Sequence, residues 1–133
     1  MTRRRSTKRR KGRRATGRGG GDLWALTDLT TPWCVHVVAT LRIADHIAAG
    51  VGDIDGLAKA AGCDPYALHR VLTYLAGKGV FVERAPGRFA LNEASRQLLD
   101  PGVRLGLDLE GIGGRFAHAW GTLLTYPDGS ARL

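Results

Sequence analysis

Cysteine is scarce in this chain: Cys34 and Cys63 are the only two, 29 positions apart. That excludes a disulfide scaffold and a zinc-ligand pattern. Both thiols are expected to be buried as small apolar groups in a reducing cytoplasm. No apolar run reaches the roughly 18 residues a membrane span needs, so no membrane partner is expected. The Arg-rich start runs into Gly17, Gly19, Gly20, Gly21 and Asp22 rather than an apolar stretch, which argues against a secretory signal. Acidic residues are absent from residues 1–21, although that segment holds 10 of the 20 Lys and Arg.

The length of 133 residues suits one domain and excludes a two-domain enzyme. The formal charge of +8 belongs to the first segment, because residues 22–133 carry 10 basic and 12 acidic side chains. Residues 1–21 are expected to be a disordered basic tail, since like charges repel and there is little to bury. Any nucleic-acid contact is expected through that tail only.

From Asp22 the apolar spacing becomes helical. Asp22 can cap a short helix carrying Leu23, Trp24, Leu26 and Leu29. Thr31 before Pro32 suits a cap and first helical position, and Trp33, Val37, Leu41, Ala44 and Ile47 form one stripe through residues 32–49. Asp53 opens a helix with Ile54, Leu57, Ala58 and Ala61, which Gly62 stops. Asp64-Pro65 opens another with Leu68, Val71, Leu72 and Leu75, ending at Gly79. Together these two predict a helix-turn-helix. The period then changes. Val80–Val82 and Arg88–Leu91 read as strands around the turn Ala85-Pro86-Gly87. Asn92 caps a helix with Ala94 and Leu98, and Asp100-Pro101-Gly102 reads as its break. Residues 107–125 place Leu109, Ile112, Phe116, Trp120 and Leu123 at helical spacing, weakened by glycines 111, 113, 114 and 121. The fold class expected is mainly α: a winged helix-turn-helix with a small β-hairpin and flanking helices.

The helix-turn-helix first suggests DNA binding, which needs base-reading side chains on the exposed face of the second helix. Of Tyr66, Ala67, His69, Arg70, Thr73 and Tyr74, only Arg70 is a strong groove contact. Residues 53–91 hold five Lys/Arg against four Asp/Glu, too balanced for a phosphate-tracking surface. Leu109-Glu110-Gly111-Ile112-Gly113-Gly114 loosely resembles a nucleotide loop, but the flanking βαβ unit has no room in the 19 residues that follow. His36, His46, His69 and His118 sit in no metal-ligand motif. No catalytic, cofactor-binding or metal-binding residue is expected. Phe116 and Trp120 share a helix face at i, i+4, either as core or as an aromatic wall of an apolar pocket. His118, between them, points about 160–200° away.

Four segments in order carry a family resemblance. They are TLRIADHIAAG (40–50), DIDGLAKAAGCDPYALHRVLTYLAGKGVFVE (53–83), GRFALNEASRQLL (87–99) and FAHAWGTLL (116–124). The series resembles the N-terminal dimerisation domain of S-adenosylmethionine-dependent O-methyltransferases of the bacterial antibiotic and plant small-molecule type. One position departs from the pattern: Arg42 stands where the family usually has glycine. The resemblance implies a domain that interlocks with its twin and lends apolar side chains to a substrate pocket. It also implies a separate doubly wound domain that binds the methyl donor and, in many members, holds a catalytic His. On this reading residues 22–129 form the dimerisation domain, and residues 130–133 lie just before the catalytic domain that would follow. The chain would then be a truncated or split form, inactive alone.

The resulting expectation is a cytoplasmic homodimer built through residues 22–49 and 107–124. Leu23, Trp24, Leu26, Trp33, Val37 and Leu41 are its interface candidates, and Phe116 and Trp120 its substrate-pocket candidates. The cofactor implied for the family is S-adenosylmethionine, with none held in this chain. A separately encoded catalytic domain is a further partner to consider. The alternative is a winged-helix transcription regulator with a basic tail.

Overall fold

Two aspartates set the centre of the fold. In the computed structural model, which describes residues 19–122, Asp53 and Asp64 each turn a side chain onto the first turn of a helix. Asp53 caps α4 (Ile54–Ala61) and Asp64 caps α5 (Pro65–Gly77), accepting from the amides of Gly56 and Ala67. Gly62 ends α4 in the left-handed conformation that glycine adopts without a Cβ clash. Before this pair come α1 (Leu23–Leu26), α2 (Thr30–Thr40) and α3 (Ile43–Ala48). After it come β1 (Val82–Ala85), β2 (Arg88–Ala90), α6 (Glu93–Arg96) with a 3-10 turn at Gln97–Leu99, then α7 (Pro101–Leu107) and α8 (Ile112–Trp120).

β1 and β2 form an antiparallel hairpin, the wing, with Val82 opposite Ala90 and Glu83 opposite Phe89. The wing is pinned to the entry of α4. The Phe89 amide donates to the Gly52 carbonyl at 2.8 Å and the Ile54 amide to Gly87 at 2.9 Å. Val38, Ile43, Leu57, Leu72, Leu75 and Phe81 are fully buried and form the core with Leu68, Phe89 and Leu98. Each such aliphatic or aromatic side chain contributes roughly 1.5–3 kcal/mol on burial. The mainly helical winged fold expected from the sequence is the one observed.

Asn92 does more than cap α6. Its Oδ1 accepts from the Ser95 and Phe81 amides at 3.0 and 3.2 Å, and its Nδ2 donates to the Gly79 carbonyl at 2.9 Å. This clamp holds the turn between α5 and the wing. Phe81 within it has φ of 70°, an uncommon value for a bulky residue. Burial of its ring in the core holds it there.

Several boundaries differ from those expected. The stripe through residues 32–49 is two helices, not one, because Arg42 takes φ of 55° and bends the chain between α2 and α3. α2 starts at Thr30, and its capping side chain is Asp28, which accepts from the Thr30 amide at 2.9 Å and the Thr31 amide at 3.3 Å. Leu29 therefore precedes α2 instead of extending α1. The first strand begins at Val82, since the left-handed turn at Phe81 cannot lie in a strand. Asp100-Pro101 opens α7 rather than only ending α6, with Asp100 capping Gly102 and Val103. Residues 107–125 do not form one helix: α7 ends at Leu107, a turn follows, and α8 starts at Ile112. Cys34 and Cys63 are free and half-buried rather than buried, and burial still pushes both thiols upward in pKa. The expected basic tail falls outside the described residues up to residue 18, as do Leu123 and residues 130–133.

Candidate functional site

α7 and α8 fold back on each other as a helical hairpin because two glycines leave no side chains between them. A Cβ on Gly113 would meet the Gly106 carbonyl, and one on Gly114 the Leu109 carbonyl. These are the glycines of the loosely nucleotide-like segment, and here they serve close backbone packing. α2 then latches the turn of this hairpin. His36 Nδ1 lies 2.8 Å from the Leu107 carbonyl, and Thr40 Oγ1 accepts from the Leu109 amide at 2.9 Å. Arg104 adds a 3.3 Å ion pair to Asp45 on α3.

Between α2 and the hairpin opens a cleft of about 350 Å³. Trp33 and His36 from α2 line one side, with Leu29 and Pro32 at its end. Phe116 and Trp120 from α8 line the other, over Gly106 and Gly113. The i, i+4 pairing of Phe116 and Trp120 thus places both on one lining face. His118 lies outside the lining, although its ring approaches that of Trp33 at 6.0 Å. The Trp33 and His36 rings are 5.8 Å apart and tilted by 55°. The sequence had not marked His36, whose signal is a contact with a backbone carbonyl 71 residues away.

The interface candidates divide into two groups. Leu23, Trp24 and Leu26 on α1 are exposed, Trp24 by 84%. Trp33 is marginally exposed, while Val37 and Leu41 are half-buried beside α5 in a small apolar hollow with Val71. Phe116 and Trp120 remain 69% and 71% exposed despite lining the cleft. Exposed apolar side chains therefore stand on α1, around Trp24, and on the cleft edge of α2 and α8, at Trp33, Phe116 and Trp120, and apolar surface of this kind marks an interaction site.

The outward face of α5 has a different character. Arg70 stacks on the Tyr66 ring at 5.8 Å, and Thr73 donates to Glu83 of the wing at 3.1 Å. His69 faces the same carboxylate at 3.7 Å and the Phe89 ring edge-on. A carboxylate at the centre of that face repels phosphate. Among the described residues no group of three or more His, Cys, Asp or Glu could hold a metal, and no helix is long and apolar enough to cross a membrane.

A methyl-donor site of the doubly wound kind needs parallel strands with a glycine turn leading into a helix. The described residues contain one antiparallel hairpin, and the space over Gly113 and Gly114 is filled by α7 and by the turn at Leu109. They do not fit S-adenosylmethionine.

Comparison with known proteins agrees with this architecture. The family model described as O-methyltransferase dimerisation domain matches residues 23–101. A 2,7-dihydroxy-5-methyl-1-naphthoate 7-O-methyltransferase of Streptomyces carzinostaticus is 44% identical over 96 residues, covering 70% of this chain and 29% of that protein. Aclacinomycin 10-hydroxylase RdmB of Streptomyces purpurascens is 42% identical over 55 residues, covering 41% of this chain and 15% of its own. The crystal structure of the O-methyltransferase NcsB1 from neocarzinostatin biosynthesis, in complex with S-adenosylmethionine and 2-hydroxy-5-methyl naphthoic acid, superposes with a TM-score of 0.73. It is 40% identical, with 79% of this chain and 33% of that one covered. The chain thus spans about a third or less of the length of these relatives. With most of its helices and its wing inside the matched segment, the chain belongs to the O-methyltransferase dimerisation-domain family.

Proposed function

We propose that this chain is the dimerisation and substrate-pocket unit of a small-molecule O-methyltransferase, that it pairs with a second copy of itself, and that it transfers no methyl group alone. The observation that carries the pairing is the exposed apolar edge of α1. Leu23, Trp24 and Leu26 stand in water although the remaining core is well filled. A second copy covering that edge would remove a cost of about 25 cal/mol per Å² of apolar surface. The substrate-pocket part rests on the cleft, where Phe116 and Trp120 would form an aromatic wall against a ring-bearing acceptor. Two relatives carry molecules of that shape in their names, a dihydroxy-methyl-naphthoate methylated by one and a hydroxy-methyl naphthoic acid bound in the other. The methyl donor would be held by a separate domain. The matched unit also occurs in a protein named as a hydroxylase, so this unit alone does not set the reaction.

Sedimentation equilibrium of the full chain at roughly tens of micromolar tests the pairing, since specific interfaces commonly have dissociation constants at or below micromolar. A dimer is expected. A well-folded monomer at that concentration overturns the reading.

A further inference from the structure

We infer that His36 is a hydrogen-bond acceptor inside the cleft and that it selects aromatic ligands bearing a free hydroxyl. The inference rests on the substrate-pocket reading of that cleft and adds the polar contact that orients the ligand.

The argument starts from the Leu107 carbonyl. A carbonyl oxygen only accepts, so the 2.8 Å contact requires a proton on His36 Nδ1. In the neutral ring the proton then sits on Nδ1, and Nε2 keeps its lone pair. Leu107 ends α7, and the Thr40–Leu109 bond secures the same turn, so the partner that fixes the tautomer is itself held in place. His36 lines the cleft, and among the described residues the one hydrogen bond its ring makes is that of Nδ1. The rest of the lining is apolar or aromatic: Trp33, Phe116, Trp120, Leu29 and Pro32. A neutral acceptor in such a wall favours a ligand with one donor at a ring edge. A phenolic hydroxyl supplies that donor, whereas a methyl ether of the same ring supplies only an acceptor. Facing Nε2, the ether leaves two acceptors opposed and unpaired, which costs binding.

A site built to pair with a hydroxyl rejects the analogue that lacks it more strongly than an apolar pocket rejects one extra methyl group. The cleft therefore distinguishes a methyl acceptor from its methylated product.

Calorimetric titration of the full chain with 2-naphthol, 2-methoxynaphthalene and naphthalene tests this. 2-Naphthol should bind about tenfold more tightly than 2-methoxynaphthalene, the ratio that one neutral hydrogen bond gives. In His36→Phe that preference should vanish while 2-methoxynaphthalene binding persists. Because this substitution also removes the Leu107 latch, a second measurement uses the unaltered protein. The imidazole nitrogens observed by NMR should show the proton on Nδ1, and the Nε2 signal should shift with 2-naphthol but not with 2-methoxynaphthalene. Equal binding of the two naphthalenes, a proton on Nε2, or a preference surviving in His36→Phe overturns the role of His36 and leaves the aromatic cleft standing. Failure of all three ligands to bind overturns the cleft reading with it.

Discussion

Phe81 and Phe116 are the same residue placed in opposite circumstances. Phe81 is 1% exposed, wedged beneath the wing and clamped by Asn92, at the expense of a left-handed backbone. Phe116 lies on regular helix in α8 and is 69% exposed. The contrast extends to their surroundings. The α3–α6 region, with Val38 of α2, closes into a filled core, with side-chain caps on α4, α5 and α6 and a pinned hairpin. Outside it, α1 and the cleft edge of α2 and α8 leave their large apolar groups uncovered, the cleft edge being held by backbone latches and glycine contacts. One region is finished within the chain, while the other presents a surface for something else to cover.

The strongest way to break this comparison is to truncate a large aromatic in each region. Phe81→Ala should cost about 3–5 kcal/mol, as large core truncations do, and denaturant unfolding will measure it. Trp24→Ala should change unfolding by less than about 0.5 kcal/mol at low protein concentration. It should instead weaken self-association by roughly tenfold or more, as loss of an interface aromatic does. If Trp24→Ala unfolded the chain as readily as Phe81→Ala, the division would fail.

Gly114→Ala probes the latched hairpin. A Cβ there meets the Leu109 carbonyl, so α8 must shift. A loss of about 1–3 kcal/mol is expected from such overpacking, with the tryptophan fluorescence of the cleft altered and the wing signals in an NMR spectrum unchanged.

Arg42→Gly should do the reverse. At φ of 55° an arginine carries a left-handed penalty of about 1 kcal/mol that glycine does not. Part of that gain is offset by glycine's greater freedom in the unfolded chain. A net rise of a few tenths to about 1 kcal/mol in unfolding free energy is expected.

The smallest effect separates the two regions by acid. Asp28, at the start of α2, sits below its ordinary pKa of 3.8, chiefly through the Thr31 hydroxyl and then the Thr31 amide. Glu83, in the wing, sits below its ordinary 4.5. Burial pushes it up, but hydrogen bonds from Thr73 and the Gly87 amide, together with His69, outweigh that. A lowered folded pKa contributes stability above the ordinary value and loses it as pH falls through the folded one. Both contacts should therefore be complete at neutral pH and fade only below those ordinary values. Asp28→Asn and Glu83→Gln should each flatten the acid limb of a stability–pH curve, the first through α2 and the second through the wing.

Much of the closed region was legible because its signals are local. Asp53, Asp64 and Asn92 each lie beside the helix they cap, and residue type plus spacing suffices to read them. The Asp-Pro pair at 100–101 carries the same signal as that at 64–65, but the glycine after it gave it the look of a break. The bend at Arg42 was hidden because a left-handed φ leaves no trace when the residue is not glycine. Phe81 misled for the same reason and shifted the expected strand. In the open region, Phe116 and Trp120 could be paired from helix geometry. His36 could not be added to them, since its contact is with a main-chain oxygen, and every residue has one.

His36 and Thr40 are one helical turn apart on α2, and they grip Leu107, the last residue of α7, and Leu109, the second residue of the turn that follows it. A helical hairpin held at a single point can fray from its free end. One gripped at two points where it enters its bend opens there only when the gripping helix also lets go. Because Val38 of that helix is buried in the winged core, the amides at the bend should exchange hydrogen for deuterium together with those of α2 and the core, as one cooperative unit. The chain then has two thresholds of opening rather than one, and the lower belongs to α1 and to the end of α8 away from the bend.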